Sequence, residues 1–179
     1  PILAEDLGVI TPAVETLRDH FGFPGMKILQ FAFDSKEAGG LNATNAFLPH
    51  NHNRNAVVYT GTHDNDTTRG WYQNRTPEEK DLIRRYLGRP DHDLVWDFIR
   101  MAMASVARFA IVPLQDVLNL DTHARMNIPS TTGANWAWRY RHEALNDWSS
   151  NRLRELVDLY GRNPELWRKK EEEIAALYD

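Results

Sequence analysis

The sequence predicts an α/β fold in which a parallel sheet is built from strands that alternate with helices. Four short apolar runs, at residues 2–4, 25–33, 56–60 and 110–114, are separated by segments with helical periodicity and capping residues. This alternation of strand and helix is typical of crossover connections in a parallel sheet. Four strands make half of an eight-stranded barrel, so the sequence predicts half of a TIM-type (β/α)8 barrel with added helices.

Capping residues and apolar spacing locate the elements of the first half of the chain. Thr11 as N-cap, followed by a proline at the first helical position, predicts a helix whose apolar residues Val14 and Leu17 share a face. The run at residues 25–33 begins by alternating apolar and polar residues, and the run at residues 56–60 is apolar up to its final threonine. Both are predicted to be strands.

The next segment contains two predicted helices and the last predicted strand. Thr76 and Glu79 have the spacing of a capping box, and Gly88 is a suitable end for the helix that they begin. A longer amphipathic helix is predicted over residues 93–108. The apolar run at residues 110–114 then forms the fourth strand, with its proline at the rim of the sheet.

An aromatic, polar loop and two helices complete the chain. The loop at residues 127–140 combines the amide of Asn135 with indole rings such as that of Trp136. Proteins often hold sugars in this way, with hydroxyls on amides and ring faces on aromatic planes, but aromatic core packing beside a barrel rim is the alternative. The two helices are predicted to begin near Asn146 and Pro164.

Composition and charge exclude several functional classes. The chain has 179 residues, 42% of them hydrophobic, and a formal net charge of -4 with basic and acidic residues interspersed. These values indicate a globular domain and argue against nucleic-acid and membrane partners. Because the chain has no cysteine and no long uncharged apolar run at either end, we expect no disulfide, no thiolate metal site and a cytoplasmic location.

The position of the first residue suggests that the chain is part of a larger domain. It begins inside an apolar run, where domains seldom start. We therefore expect residues 1–179 to form a single partial domain that lacks the N-terminal half of the barrel. Half a barrel would leave open sheet edges and an uncovered apolar face, so the expected partners include that missing half or a second copy of the chain.

Two carboxylates, Glu5 and Asp64, directly follow predicted strands. The carboxyl ends of barrel strands face one cavity, so both side chains would reach the same site, as would Asp116. Paired carboxylates are typical of glycoside chemistry, in which one holds a proton and the other stays ionised. From the pattern alone, the alternative is that Glu5 and Asp6 cap the next helix or pair with a lysine.

Two polar segments have some features of a metal site. The sequence Asp64-Asn65-Asp66 supplies closely spaced oxygen atoms, but it lacks the glycine and the distal glutamate of a calcium loop. The segment HNHN at residues 50–53 has no carboxylate beside it. We therefore expect no metal and no cofactor, a structural or helix-capping Asp66, and a solvated loop at residues 50–53.

Seven segments of the chain resemble one enzyme family. The sequences AEDLG at residues 4–8 and YTGTHDNDT at residues 59–67 are similar to two signature segments of the amylomaltase family, the 4-alpha-glucanotransferases. Five others resemble that family in the expected order, namely FPGMK, FAF, LPHN, PLQD and ARMNIP at residues 23–27, 31–33, 48–51, 113–116 and 124–129. The resemblance covers nearly the whole chain and implies about strands 5 to 8 of the catalytic (β/α)8 barrel.

The resemblance implies a role for each site residue. Glu5 corresponds to the general acid/base after the fifth strand, and Asp64 to the carboxylate after the seventh strand that holds hydroxyls of the distorted sugar ring. His63 corresponds to a second hydroxyl ligand, and Asn135 and Trp136 to an asparagine-tryptophan pair that lines the donor subsite.

Other positions in the resembling segments leave questions open. Phe31 and Phe33 either contact sugar or pack in the core. Family members often have glycine where this chain has Ser130 and Ala134, so the backbone path of that loop is not fixed by the resemblance.

The implied activity is retaining transfer of an alpha-1,4-glucan segment to the 4-hydroxyl of an acceptor glucan or glucose. Its substrates would be malto-oligosaccharides and glucans derived from starch or glycogen. The family's nucleophile is an aspartate after the fourth strand, which would precede Pro1. Asp6 cannot replace it, because consecutive residues point in different directions. We therefore expect the isolated chain to be inactive; a non-catalytic alpha-glucan-binding module, an alpha-glucan hydrolase and a metal-dependent hydrolase are the alternatives.

Overall fold

The computed structural model describes residues 2–37 and 39–176, which divide into two compact units. The first unit covers residues 1–139 and contains the sheet, and the second covers residues 140–179 and is helical. In the part of the chain that the structure describes, no helix has the length and hydropathy needed to cross a bilayer.

Within the described residues of the first unit, three strands form one parallel sheet. Its strands are β1 (Gly25–Ile28), β2 (Ala56–Tyr59) and β3 (Phe109–Ile111), in the order β1-β2-β3. In the register of the sheet, Met26 pairs with Val57, which in turn pairs with Phe109. The central strand is buried at its first three residues, as expected for a parallel strand covered on both faces. The prediction of a parallel α/β sheet is therefore confirmed, with three strands rather than four.

The apolar run at residues 2–4 is the strand that the sequence predicted wrongly. It lies beside β1, where Ala4 N donates to Pro24 O at 3.0 Å, but no ladder follows. The reason lies in Asp6, because its Oδ1 accepts the hydrogen bond from Met26 N at 2.7 Å. Its Oδ2 pairs with Arg18 at 2.5 Å, so a side chain takes the place of the strand's next backbone partner.

Only the first part of the strand predicted at residues 25–33 is a strand in the structure. It ends at Ile28, and Leu29–Phe33 forms a 3-10 helix. Leu29, Ala32 and Phe33 are buried, and their spacing of three and four residues is helical rather than alternating. The pattern of the strand therefore changes at Ile28, a change that the apolar character of the run conceals.

Seven α-helices are described. They are α1 (Pro12–His20), α2 (Thr68–Gln73), α3 (Pro77–Leu87), α4 (Leu94–Ala104), α5 (Leu114–Val117), α6 (Asp147–Leu159) and α7 (Pro164–Ala175). Shorter 3-10 turns occupy Pro49–Asn51, Thr122–Ala124 and His142–Ala144.

The predicted helix starts agree with the structure. The capping box of α3 is formed by Thr76 and Glu79, and Gly88 ends the helix with a φ of 67°. The N-caps of α6 and α7 are Asn146 and Asn163, each of which accepts a backbone hydrogen bond. Helix α4 is shorter than predicted, because the backbone becomes extended at its C-cap.

The core of the first unit lies between the sheet and helices α2 to α4. Its largest fully buried side chains include Trp96, Phe33, Phe98, Ile83 and Val58. By contrast, none of the nine residues of α1, all of which the structure describes, is buried. The predicted apolar face of α1 exists, but its side chains are exposed.

Candidate functional site

A cavity of about 330 Å³ opens at the carboxyl ends of β2 and β3. Tyr59 and Ile111, the last residues of those strands, form part of its wall. Met26 of β1 also lines it, and most of the remaining wall comes from segments that follow β2 and β3, including His63, Asp66, Gln115, Asp116, Arg125, Met126 and Trp136. This is the edge of a parallel sheet at which ligands bind in α/β proteins.

The loop between β2 and α2 is folded tightly on itself and on the 3-10 helix that follows β1. Asn65 Oδ1 accepts hydrogen bonds from Thr62 N at 2.8 Å and from Thr62 Oγ1 at 2.9 Å. The buried Gln30 donates from Nε2 to Asp66 O at 2.9 Å. A Cβ at Gly61 would overlap that same amide, so only glycine allows this close approach. The backbone on either side of Asp64 is therefore fixed.

Asp116 anchors both ends of this loop from below. Its carboxylate accepts hydrogen bonds from Thr60 Oγ1 at 2.5 Å, from Thr68 N at 2.8 Å and from Thr68 Oγ1 at 2.8 Å. The side chain is almost fully buried, and this loss of hydration raises its pKa, although the same hydrogen bonds act in the opposite direction. Asp116 thus joins the end of β2 to the start of α2, and its oxygens are occupied by these contacts.

His63 lines the cavity, and Asp64 follows it in the same turn. About half of each side chain is exposed, and His63 Nε2 is 3.4 Å from Asp64 Oδ1. Asn127 donates from Nδ2 to Asp64 Oδ1 at 2.6 Å, and Arg125 donates from Nη2 to Asp64 O at 2.6 Å. The turn is held a third time where Asn127 N donates to His63 O at 3.1 Å. A carboxylate and an imidazole are therefore presented together in fixed positions.

Glu5 lies in the irregular segment before α1. Its side chain is exposed, and it is not among the described residues that line the cavity. Asp6, its neighbour, is turned the other way and held by Arg18 and by the backbone of β1. The alternative in which Asp6 forms an ion pair is therefore correct for Asp6, with an arginine as the partner. Asp64 is not among those lining residues either, but its neighbours His63 and Asn65 are, whereas no residue beside Glu5 is.

The aromatic loop contributes one ring to the cavity. Trp136 lines it, with the ring centroid 5.0 Å from that of His63. Its backbone has a φ of 63°, and its N–H donates to Met126 O at 2.7 Å. A positive φ is strained for a bulky residue, so surrounding contacts must hold it.

Asn135 and Ser130 hold the shape of that loop. Asn135 Oδ1 accepts from Ile128 N at 3.0 Å, and its Nδ2 donates to Thr131 Oγ1 at 3.0 Å. Ser130 has a φ of 61°, in the region that favours glycine. The amide of Asn135 is therefore used within the loop in this structure, whereas the prediction assigned it to substrate.

The two phenylalanines are placed differently. Phe33 is fully buried and packs against Tyr86 and Phe98, so the interpretation as a core residue is the correct one. Phe31 is half-buried, and its ring meets that of Phe47 edge-on at 5.3 Å. Only Phe31 retains exposed surface that a ligand could contact.

The segment at residues 50–53 is structural. His50 is hydrogen-bonded to Tyr86 Oη and Ala43 O, and His52 is buried with both ring nitrogens partnered. The prediction of a solvated loop was therefore wrong for the buried His52, whereas His50, Asn51 and Asn53 are exposed. Among residues 2–37 and 39–176, no group of three or more histidine, cysteine or acidic side chains is arranged to hold a metal ion.

The sequence alone assigns no role to Arg125 or Asn127. Both fall in the segment ARMNIP, which was noted only for its resemblance. Their contacts with Asp64 span more than sixty positions in the chain, a separation that no local pattern can reveal. The signal that could have identified them is the presence of a charged and an amide side chain in a segment otherwise suited to a turn.

Comparisons with known proteins agree on one family. A family model described as 4-alpha-glucanotransferase matches residues 1–145. The 4-alpha-glucanotransferase of Synechocystis sp. is 55% identical over 164 residues, which cover 90% of this chain and 31% of the relative. That of Thermus thermophilus is 52% identical over 167 residues, covering 88% and 32%.

A solved structure is also similar. The amylomaltase from Streptococcus agalactiae in complex with acarbose has a TM-score of 0.82 and 37% identity, over 90% of this chain and 32% of that chain. The fold of this chain is therefore an α/β fold similar to part of amylomaltase. The chain spans about a third of the length of the relatives that it matches.

Proposed function

This chain belongs to the 4-alpha-glucanotransferase family, and from that premise we propose that it forms part of a retaining enzyme that transfers alpha-1,4-glucan segments between malto-oligosaccharides or larger glucans. The observation that carries the proposal is the contact of Asp64 with His63, which lines the cavity beside the ring of Trp136. An ionised carboxylate, an imidazole and an indole face are suited to sugar hydroxyls and an apolar ring face.

We assign Asp64 to the hydroxyls of the sugar at the reacting carbon. Its hydrogen bonds to that sugar strengthen as the ring flattens toward an oxocarbenium-like transition state, and His63 binds a neighbouring hydroxyl. Trp136 supplies the face against which the sugar ring packs. Half-exposed side chains on a fixed turn fit this role, because they reach a ligand without having to move.

Glu5 is proposed as the general acid/base on the strength of the family resemblance. It would donate a proton to the glycosidic oxygen as that bond breaks, and later accept the proton of the acceptor's 4-hydroxyl as the new bond forms. For this role its segment must face the same cleft as Asp64.

The covalent step needs a further carboxylate. In retaining glycosidases the nucleophile lies about 5 to 5.5 Å from the acid/base. We propose that it comes from the part of the relatives' length that this chain does not span, and that β1 to β3 with residues 2–7 belong to the C-terminal half of a (β/α)8 barrel. The 179-residue chain alone would then bind glucan without transferring it. A cytoplasmic location also remains a prediction.

The decisive experiment uses a chimera, called here the transferase chimera. In it, the matching segment of the Thermus thermophilus relative is replaced by residues 1–179 of this chain. Incubated with maltotriose, it should produce glucose together with longer malto-oligosaccharides, whereas a hydrolase would give only shorter products. Addition of a chelator should leave the rate unchanged, which separates this mechanism from a metal-dependent hydrolase.

Two variants of the transferase chimera separate the carboxylates. Glu5→Gln and Asp64→Asn should each lower the rate by about 100-fold or more. A maltosyl fluoride donor, whose leaving group needs no proton, should restore fluoride release in E5Q but not in D64N. The matched control is Glu78→Gln on the exposed start of α3. Full activity in either carboxylate variant would contradict the assignment.

A further inference from the structure

We propose that Asn127 is a positioning residue for the transfer reaction, one that holds the Asp64 carboxylate in the orientation in which it meets the sugar. This inference rests on the proposed function for its catalytic meaning, but the contact itself is independent of it. Asn127 Nδ2 lies 2.6 Å from Asp64 Oδ1, a short distance for a hydrogen bond between an amide and a carboxylate.

The need for such a residue follows from the exposure of Asp64. With about half of its surface in water, packing does not fix its χ angles. The amide of Asn127 and the more distant ring of His63 both approach Oδ1 and restrict the rotation of the carboxylate. Among the described residues no side chain is hydrogen-bonded to Oδ2, so that oxygen can meet a ligand hydroxyl. Because the donor is a neutral amide, it orients the carboxylate without placing a positive charge beside it.

The donor is itself held rigidly. Asn127 N donates to His63 O at 3.1 Å, and Asn127 O accepts from Arg125 Nε at 2.8 Å. The same guanidinium donates from Nη2 to Asp64 O at 2.6 Å. Arg125 therefore holds the backbone of Asp64, and Asn127 holds both the Asp64 carboxylate and the backbone of His63.

Asn127→Asp is the variant that distinguishes positioning from a general structural role. It has the same shape, but places a second carboxylate against Asp64. Two carboxylates at this distance cannot both ionise freely and must share a proton. While that proton is present, it restores a donor to Asp64 Oδ1; once it is lost at higher pH, the pair repels and the orientation fails.

In the transferase chimera, kcat of N127D should therefore fall at high pH in a way that kcat of the parent does not. Asn127→Ala should lose about 10-fold in kcat at every pH with a smaller change in KM, since one hydrogen bond to a charged group is removed. The titratable and charged groups placed against Asp64 are His63 and Arg125. Both are present in the parent chimera, so their influence cancels in the comparison.

The matched control is Asn55→Asp. Asn55 is exposed and also donates its side-chain amide to an oxygen, the carbonyl of Gly22 at 3.2 Å. The substitution makes the same change of charge away from the cavity and should leave the pH profile of the parent. A pH profile of N127D that superimposes on that of the parent would overturn the proposal.

A second measurement needs no catalytic activity and uses the 179-residue chain. In nitrogen-edited NMR spectra, the side-chain amide protons of Asn127 should shift as pH falls and Asp64 takes up a proton. They should not respond in Asp64→Asn, and should still respond in Asp66→Asn. If the chemical shifts of these amide protons do not change with pH in the unsubstituted chain, the contact is refuted whether or not the chimera is active. An inactive chimera with responsive amide protons would instead count against the proposed function.

Discussion

His52 should make the folded chain sensitive to mild acid. The histidine is buried, accepts a hydrogen bond at Nδ1 from Ser105 Oγ at 2.7 Å, and donates from Nε2 to Phe47 O at 2.9 Å. Because a carbonyl oxygen can only accept, the proton of the neutral ring lies on Nε2, and Nδ1 is then the acceptor for the Ser105 hydroxyl. A second ring proton would place a positive charge in this buried position and would require the Ser105 hydroxyl to accept instead of donate.

The size of the effect follows from the pKa of His52. Burial is the main cause that lowers this pKa from 6.5 to about 4; the hydrogen bond to Phe47 O opposes it, and the charges of Lys27 and His50 lower the pKa by smaller amounts. A folded-state pKa below the unfolded value means that the unfolded chain binds the proton more tightly. This contribution to stability is therefore complete above pH 6.5 and is lost as pH falls toward 4. At about 1.4 kcal/mol for each tenfold change, the loss is about 3 kcal/mol.

The assay is urea unfolding, followed by circular dichroism, at several pH values between about 7 and about 4. His52→Gln removes the titrating group and keeps a polar side chain, so the other ionisable groups contribute equally to both proteins. The free energy of unfolding of the wild-type chain should fall by about 3 kcal/mol more than that of H52Q over this range. Parallel pH curves for the two proteins would refute the reasoning.

Two further substitutions test how the site loop and the first segment are anchored. Asp116→Ala removes a buried carboxylate that accepts hydrogen bonds from Thr60 and Thr68. It should lower the free energy of unfolding by about 3 kcal/mol and speed hydrogen exchange at the Thr68 amide. An unfolding free energy within about 0.5 kcal/mol of wild type would contradict this. Gly25→Ala would push a methyl group into the Asp6 carboxylate, so it should lower the unfolding midpoint by the equivalent of about 1–3 kcal/mol, and a midpoint equal to that of wild type would show that the contact is dispensable.

Local chemistry explains which parts of the fold could be predicted. Helix α3 was predicted from Thr76, Glu79 and Gly88, and each works through neighbours within four residues. The strand β2 could also be predicted from its own residues, because a central parallel strand is apolar on both faces. These signals are contained in the segment that they specify.

The errors came from contacts between distant segments. Residues 2–4 look like a strand, but the carboxylate of Asp6 takes the N–H of Met26, twenty positions later in the chain. The orientation of Asp64 depends in the same way on Asn127. Family resemblance supplied candidate roles for the site, whereas its supporting contacts became visible only from the fold.

The arrangement around Asp64 resolves an apparent conflict between exposure and order. A carboxylate that binds sugar hydroxyls must be open to solvent, yet open side chains are usually mobile. Here two contacts hold Asp64 in place. Buried Asp116 joins the two ends of the loop, and Asn127 is hydrogen-bonded to the Asp64 carboxylate. The two supports should fail differently. Loss of Asp116 should reduce stability and activity together, whereas loss of Asn127 should reduce kcat while leaving the unfolding free energy within about 1 kcal/mol, because an exposed hydrogen bond contributes little to folding.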